Sequence, residues 1–293
     1  MAVKILVDST CDLPLPTLEA MGLYMEPLTI HFEGEDLRDT YDIDHAVFFK
    51  RLRAAKKLPT TSQVPVGRFI DRYKALLGGD PTNEVVVLTL SKNLSATYQS
   101  ACMARDELGD PRVHVVDQGG TSLSAVPAIQ AAVQMRDAGK SAQEIDDFLT
   151  GKRNNLRIFA MVDSLQHLHK GGRLSTTSTI AGSLMGIKPI LDIRDGVILV
   201  VGKARGQAAA NRMLIEQIKG CGIDFSLPFV FAHIDAKSAM ESLMAEAIPA
   251  LGIGAYTLVD IGAVIGAHVG PGSFGVGFYD MVENPDTPVK AGD

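Results

Sequence analysis

Residues 84–108, EVVVLTLSKNLSATYQSACMARDEL, decide the fold class of this chain. The three consecutive valines Val85, Val86 and Val87 lie in a short apolar run, which is typical of a strand buried on both faces of a parallel sheet. A helical stretch from Leu94 to about Leu108 follows after a short polar segment. A buried strand followed closely by a helix is the unit from which parallel α/β sheets are built.

The same unit occurs on both sides of this stretch. Val3 to Val7 predicts a first buried strand. Val113 to Val116 predicts a further strand, which an Ala-rich helix follows from near Ser122 to Ala138. Repeated strand–helix units predict a parallel sheet covered by helices, that is, a three-layer α/β domain.

Polar residues follow each of these strands, at Asp8, Ser91 and Asp117. In open α/β sheets, ligands bind outside the carboxyl ends of the strands. This edge of the sheet is therefore the predicted location of a binding site.

The pattern changes after residue 155. Asp195-Gly196 joins two β-like runs, Ile190 to Ile193 and Val197 to Val201, and this dipeptide is a strong local signal for a hairpin. An antiparallel element indicates a second α/β domain with a mixed sheet. The tail carries several Pro and Gly residues without apolar periodicity, so we expect it to be mobile. The predicted segments are an N-terminal α/β domain at 1–155, a C-terminal mixed-sheet domain at 156–282, and the tail at 283–293.

The composition excludes several classes of function. The chain has 293 residues with a net charge of −6 and no run of Lys and Arg, so nucleic acid is not an expected partner. No apolar run approaches the ~20 residues of a membrane span, and no basic leader precedes Val3, so we expect a cytoplasmic protein. The three cysteines are far apart and predict neither a disulfide framework nor a zinc site.

The common signatures of nucleotide-binding proteins and hydrolases are also missing. The sequence has no Walker lysine motif, no two-glycine fingerprint after Asp8 and no Gly-x-Ser-x-Gly elbow. The glycines from Gly270 to Gly275 precede a predicted strand, whereas a nucleotide-binding loop precedes a helix. We therefore expect no cofactor and no metal.

Two groups of hydroxyl side chains lie in or beside segments that follow the predicted strands. One is in the polar loop Pro59 to Gln63, and the other comprises Ser91, Ser95 and Thr97. Each hydroxyl taken alone is typical of helix capping or turns. Two groups at one sheet edge instead favour a pocket with neutral donors and no obvious cation, which suits a carboxylate or a carbonyl better than a polyphosphate.

Six motifs in order along the chain resemble the DegV family, the fatty-acid-binding proteins that serve bacterial fatty acid kinases. Any one of them is weak, but six in sequence are specific. The motifs are Asp8-Ser9-Thr10 with Asp12-Leu13-Pro14, Thr61-Ser62-Gln63, Leu94 to Ser100, Lys170 to Ser175, Ile187 to Leu191, and His268 with Gly270-Pro271-Gly272. The resemblance implies a two-domain fold shared with dihydroxyacetone kinase subunits.

The resemblance also implies a function and its residues. One long-chain fatty acid is held between the two domains, and its carboxylate is presented to a separate kinase that forms an acyl phosphate from ATP. The binding protein is then not itself an enzyme. The implied carboxylate-binding residues are Thr61, Ser62, Ser95 and Thr97. The residues implied in kinase engagement or phosphoryl transfer are Arg173, Arg205 and His268.

Two other functions stay open at this point: a stand-alone enzyme on the related fold, such as a hydrolase or a small-molecule kinase, and a lipid sensor without a kinase. Ala96 stands where the family usually has glycine, which would strain the backbone if that position has a positive φ. The stretch Thr176 to Ile187 predicts either a core-packed helix or a segment for transient membrane contact.

Overall fold

The computed structural model describes residues 2–174 and 186–281. Within these ranges the chain forms three sheets with helices packed around them. The strands are β1 Ala2–Asp8, β2 Leu23–Glu26, β3 Thr29–Phe32, β4 Glu35–Arg38, β5 Thr60–Ser62, β6 Asn83–Thr89, β7 Val113–Asp117, β8 Leu156–Met161, β9 Ile187–Arg194, β10 Val197–Arg205, β11 Val230–Ile234, β12 Thr257–Asp260 and β13 Ser273–Tyr279. The helices are α1 Leu15–Ala20, α2 His45–Ala54, α3 Val66–Leu77, α4 Thr97–Leu108, α5 Ser122–Asp137, α6 Ala142–Lys152, α7 Gln166–Lys170, α8 Gln207–Lys219, α9 Lys237–Leu251 and α10 Ala263–Val269.

The first sheet is the parallel sheet that the valine-rich runs predict. Its order is β2-β1-β6-β7, and every neighbouring pair is parallel. Ile5 on β1 lies beside Val86 on β6, and both are fully buried. Helices α3 to α6 pack against this sheet. Strands buried on both faces need no alternation of polar residues, so the continuous apolar runs are confirmed as parallel strands.

A second, three-stranded antiparallel sheet has the order β4-β3-β5. The prediction of a polar loop at Pro59 to Gln63 is wrong here, because Thr60–Ser62 forms β5 and pairs with β3. The sequence does not predict this strand, because it is three residues long and polar. It lies at the edge of the sheet and pairs only with β3. The β3–β4 turn at Glu33-Gly34 has two positive φ angles, 53° and 88°, as a type I′ hairpin requires.

The third sheet contains six strands in the order β10-β9-β8-β13-β11-β12. All neighbours are antiparallel except β11 and β12, so this is a mixed sheet and the predicted fold class is confirmed. Asp195 and Gly196 have φ values of 51° and 73° in the turn between β9 and β10. These values are those of a type I′ turn, as the dipeptide predicts.

Helix α5 lies between the parallel sheet and the mixed sheet. It contacts β1 and β6 of the former and β8, β11 and β13 of the latter. Its residues from Ser122 to Ile129 are all buried, which explains why the helix is rich in small and apolar side chains. On β13, a Cβ atom at Gly277 would overlap the carbonyl oxygen of Leu123, so only glycine allows this approach.

The mixed sheet begins with β8 at Leu156, and the predicted domain division at residue 155 stays a prediction. The predicted tail at 283–293 lies outside the described residues, as does the predicted Thr176 to Ile187 helix except for its last two residues. In the part of the chain that the structure describes, no helix has both the length and the apolar character needed to cross a bilayer.

Candidate functional site

A cavity of about 340 Å³ lies between the two larger sheets. Its size falls within the roughly 300–1,000 Å³ typical of small-molecule sites. Most of its wall is apolar. Ile158, Ala160 and Val162 contribute from the β8 segment with the two-residue spacing of one strand face, and other apolar residues come from both halves of the chain. They include Leu28, Leu90, Leu94, Leu191, Ile193 and Val264.

The wall includes segments that follow strands of the parallel sheet. Leu90 follows β6, and Thr121 and Ser122 follow β7. The sheet edge predicted from sequence therefore does border the cavity. The three polar residues that indicated this edge are not part of the lining but stabilise turns: Asp8 accepts hydrogen bonds from the backbone of Thr10 and Leu90, Ser91 accepts one from Asn93, and Asp117 pairs with Arg153.

Polar side chains gather at one part of the wall. Thr61 Oγ1 lies 2.8 Å from His268 Nε2, which joins β5 to the end of α10. Arg173 donates from Nε to the carbonyl oxygen of Leu94 at 3.2 Å, next to Ser95. Arg173 also donates from Nη1 to the carbonyl oxygen of Gly171 at 2.6 Å. Five of the predicted site residues, Thr61, Ser62, Ser95, Arg173 and His268, thus line one cavity.

Gly171 brings the Arg173 loop against His268. A Cβ atom at Gly171 would lie 2.5 Å from His268 Nδ1, closer than side-chain atoms can approach. Glycine at this position is therefore required by the contact between the loop and α10. This contact explains why the motif Lys170-Gly171-Gly172-Arg173 has glycine at position 171.

The pocket contains a cation, contrary to the prediction of neutral donors alone. The guanidinium of Arg173 lines the cavity, and among the described residues it forms no ion pair with a carboxylate. From the sequence, Arg173 is assigned to kinase engagement and not to the pocket. No local pattern shows that Arg173 contacts Leu94, which is 79 positions away. Burial, and then the charges of Arg173 and His167, lower the pKa of His268 to about 4. His268 is accordingly neutral near pH 7, so among the described residues that line the cavity Arg173 carries the positive charge.

Ser95 and Thr97 form a pair at the start of α4. Ser95 Oγ lies 3.0 Å from Thr97 Oγ1 and accepts from Thr97 N at 3.2 Å. Thr97 is fully buried and does not line the cavity, so its hydroxyl orients Ser95. Ala96 between them has a φ of −75°, so the methyl group at this position causes no backbone strain. Arg205, on β10, is exposed and also does not line the cavity.

Thr61 and Ser62 point to opposite faces of β5, as successive residues of a strand do. Ser62 Oγ lies 3.0 Å from His31 Nε2, and His31 Nδ1 lies 2.6 Å from Asp36 Oδ1. His31 and Asp36 are register partners on β3 and β4. Sequence reasoning missed both residues; for His31 the available signal was its alternation with the buried Ile30 and Phe32.

Buried carboxyl groups lie beside the cavity wall. Asp12 Oδ1 accepts a hydrogen bond from Gly262 N at 2.9 Å, and Asp12 Oδ2 accepts one from Ser122, which lines the cavity. Burial, and then the charge of Asp39, raise the pKa of Asp12 to about 8. Burial also raises the pKa of Asp39 to about 6.

These shifts predict that the protein loses stability as pH rises through neutrality. Between pH 6.5 and 8 the folded state keeps a proton on Asp12 that the unfolded state has released, so the free energy of unfolding falls by about 1.4 kcal/mol per pH unit. The histidines with lowered pKa values, His233 and His268, act mainly below this window. Despite its burial, the contacts of His45 with Asp260 and Asp12 raise its pKa, so His45 adds to the fall in stability within the window. Urea unfolding at pH 6.5 and pH 8 measures the difference.

The matched variant is Asp12→Asn, which retains an acceptor for Gly262 N but does not titrate. Its unfolding free energy should fall less between the two pH values than that of the wild type, with His45 causing the remaining fall. A wild-type stability that is constant or rises from pH 6.5 to 8 would show that Asp12 is ionised in the folded protein.

Among the described residues, no group of three or more His, Cys, Asp and Glu side chains could hold a metal ion. The cavity wall combines a polar region that contains the Arg173 cation with a larger apolar surface. Chemically, it can hold an amphipathic molecule whose acid group meets Arg173 and the hydroxyls while its apolar part follows the wall.

Fold and site together define a class: two-sheet α/β proteins with an apolar cavity between the sheets and a polar region in its wall. A family model described as "Uncharacterised protein, DegV family" matches residues 2–281. This chain belongs to the DegV family.

Individual relatives agree with this assignment. A DegV domain-containing protein of Caldanaerobacter subterraneus is 34% identical over 279 residues, covering 95% of this chain and 99% of the relative. A solved structure described as a DegV lipid binding protein from Thermotoga maritima has a TM-score of 0.84 and 31% identity, covering 96% of this chain and 99% of its own. A DegV family protein from Thermus thermophilus, described by its fatty acid binding, has a TM-score of 0.86 and 28% identity, covering 96% and 100%.

Proposed function

We propose that this protein binds one long-chain fatty acid in the cavity between its sheets, with the carboxylate at the Arg173 end. The observation that carries the proposal is the cavity itself, which is apolar along most of its wall and holds Thr61, Ser95 and Arg173 together. The related proteins described as lipid-binding and fatty-acid-binding support the same reading. We further propose a cytoplasmic location.

The energetics favour a long apolar tail. A tail of about 14 methylene groups gains roughly 11 kcal/mol of gross transfer free energy, before association and ordering costs are subtracted. The head group contributes less affinity but fixes the register of the chain in the cavity. A carboxylate near an arginine loses less on leaving water than it would among hydroxyls alone. The tail therefore provides affinity, and the polar groups select an acid.

Replacing Arg173 with glutamine should weaken binding of palmitate about tenfold, because the charge-assisted contact to the carboxylate is lost. Binding of methyl palmitate, which has no charge, should not change. Titration of delipidated protein with both ligands measures the two affinities. Arg212→Gln, at an exposed position on α8, is the matched control. An equal loss for acid and ester would place the carboxylate elsewhere.

The second step of the proposal is presentation of the carboxylate to a separate kinase, which transfers phosphate from ATP to give an acyl phosphate. Arg173 and His268 lie at the polar region, and Arg205 lies on an exposed strand, so the proposed kinase-facing residues are not all in one place. Loading from a bilayer by transient contact belongs to the same proposal. The protein itself then performs no phosphoryl transfer.

Hydroxylamine trapping distinguishes the three functions. Loaded protein is incubated with ATP, with and without kinase fractions from the source organism, and acyl hydroxamate is measured. Formation only with both protein and kinase supports presentation. Formation by the protein and ATP alone would identify a stand-alone kinase. Bound fatty acid with no hydroxamate under any condition would indicate a lipid sensor and contradict the kinase partner.

A further inference from the structure

The strands of the mixed sheet contribute one polar side chain to the described cavity wall, that of Ser273 on β13. The other residues of these strands that line the cavity are isoleucine, leucine, alanine, phenylalanine and glycine. Ser273 is 2% exposed, and its Oγ forms no hydrogen bond with any described residue. Such a group calls for an explanation, because nearly all buried hydroxyls in folded proteins have a partner.

The alternation of side chains along β13 directs Ser273 into the cavity. Ser273 shares a face of the strand with Gly277, since the two are an even number of residues apart. At Gly277 this face meets Leu123 of α5, the helix between the two large sheets. Phe274 belongs to the opposite face and packs in the core formed with α8 and α9. The Ser273 hydroxyl therefore faces the space in which the proposed fatty acid lies.

A lone hydroxyl on an apolar surface does not suit a plain hydrocarbon chain. Methylene groups packed against Ser273 would leave its hydroxyl unsatisfied and out of water, whereas alanine at this position would carry no such cost. We propose that Ser273 forms a hydrogen bond with a hydroxyl group on the chain of the bound acid, apart from its carboxylate. The ligand class is then a long-chain hydroxy fatty acid. This inference rests on the proposed function, because it assigns a substituent to the ligand of the same cavity.

The carboxylate has its own binding groups on other elements. Thr61 lies on β5, Ser95 precedes α4 and Arg173 follows α7. Ser273 instead lies on β13, where its register partner is the apolar Ile234. The hydrogen bonds that join the polar region do not include Ser273. An acid held at Arg173 therefore brings its chain, and not its head group, to Ser273.

Titration of full-length delipidated protein with stearate and with a series of monohydroxystearates, which differ only in the position of the hydroxyl, tests the proposal. Wild-type protein should bind the isomer whose hydroxyl reaches Ser273 about tenfold more tightly than stearate. Ser273→Ala should lose this preference, while its affinity for stearate stays the same or rises. Ser238→Ala, at an exposed position on α9, is the matched control and should keep the preference.

The stability of the delipidated proteins gives an independent measurement. Because the Ser273 hydroxyl has no partner within the described fold, Ser273→Ala should unfold at the same urea concentration as the wild type or at a higher one. A clearly lower midpoint would show that the hydroxyl is already satisfied inside the protein and would contradict the inference.

Two binding results would also overturn it. If wild-type protein binds no isomer more tightly than stearate, the Ser273 hydroxyl does not meet a group on the chain. If Ser273→Ala loses the same factor in affinity for stearate as for every hydroxystearate, Ser273 contacts the carboxylate instead. Stearate binding without any preference overturns this inference alone, whereas wild-type protein that takes up neither kind of acid contradicts the proposed function as well.

Discussion

Replacing Ala160 with tryptophan should reduce the affinity for palmitate by at least ~100-fold. Ala160 lies on β8 between its register partners Gly275 on β13 and Leu191 on β9, and all three residues line the cavity. An indole at this position would occupy volume that the acyl tail needs. Displacing about four methylene groups costs roughly 3 kcal/mol, which corresponds to more than 100-fold in affinity. Titration of delipidated protein with palmitate gives the two dissociation constants.

The matched control is Ala208→Trp, which adds the same side chain at an exposed position of α8. It should bind palmitate like the wild type. Thermal unfolding of both variants shows whether the fold is retained. If Ala160→Trp binds palmitate with unchanged affinity while folded, the ligand does not occupy this cavity.

Replacing Gly277 with alanine should destabilise the fold by at least about 3 kcal/mol. The new Cβ atom would overlap the backbone carbonyl oxygen of Leu123, and backbone cannot move aside as the end of a flexible side chain can. Since Leu123 lies in the first turn of α5, which packs on both large sheets, relief of the overlap requires α5 or β13 to shift. Urea unfolding measured at a pH near 6.5 gives the difference in free energy.

Gly254→Ala is the control, because a Cβ atom at Gly254 would meet nothing within 4 Å. Its unfolding free energy should stay close to that of the wild type. An unfolding free energy of Gly277→Ala within about 1 kcal/mol of the wild type would show that the helix and the strand are not in this close contact.

The sequence predicts a strand or a hairpin correctly where a local pattern of residues is enough to determine it. The valines of β6 are apolar on both faces of the sheet, so the run identifies a parallel strand without long-range information. Asp195-Gly196 likewise determines its hairpin, because the turn geometry is local. The strand β5 was not predictable in this way. Thr60–Ser62 is three polar residues long, and only its pairing with β3 makes it a strand.

The site was predictable in part, and the limits are physical. Ser95 was predictable from its position after β6, and both Thr61 and Ser95 belong to motifs of the family. The contact between Thr61 and His268 joins residues 207 positions apart, so no local pattern reveals it. The same holds for Arg173, whose contact with Leu94 spans 79 positions and gives the cavity its cation.

The central claim is that one long-chain fatty acid occupies the cavity between the two large sheets. Native mass spectrometry of freshly purified wild-type protein, followed by solvent extraction of the bound material, tests it most directly. We expect one equivalent of a fatty acid on the wild type and on Ala208→Trp, and none on Ala160→Trp. A ligand-free wild-type protein that also takes up no palmitate on incubation would contradict the claim.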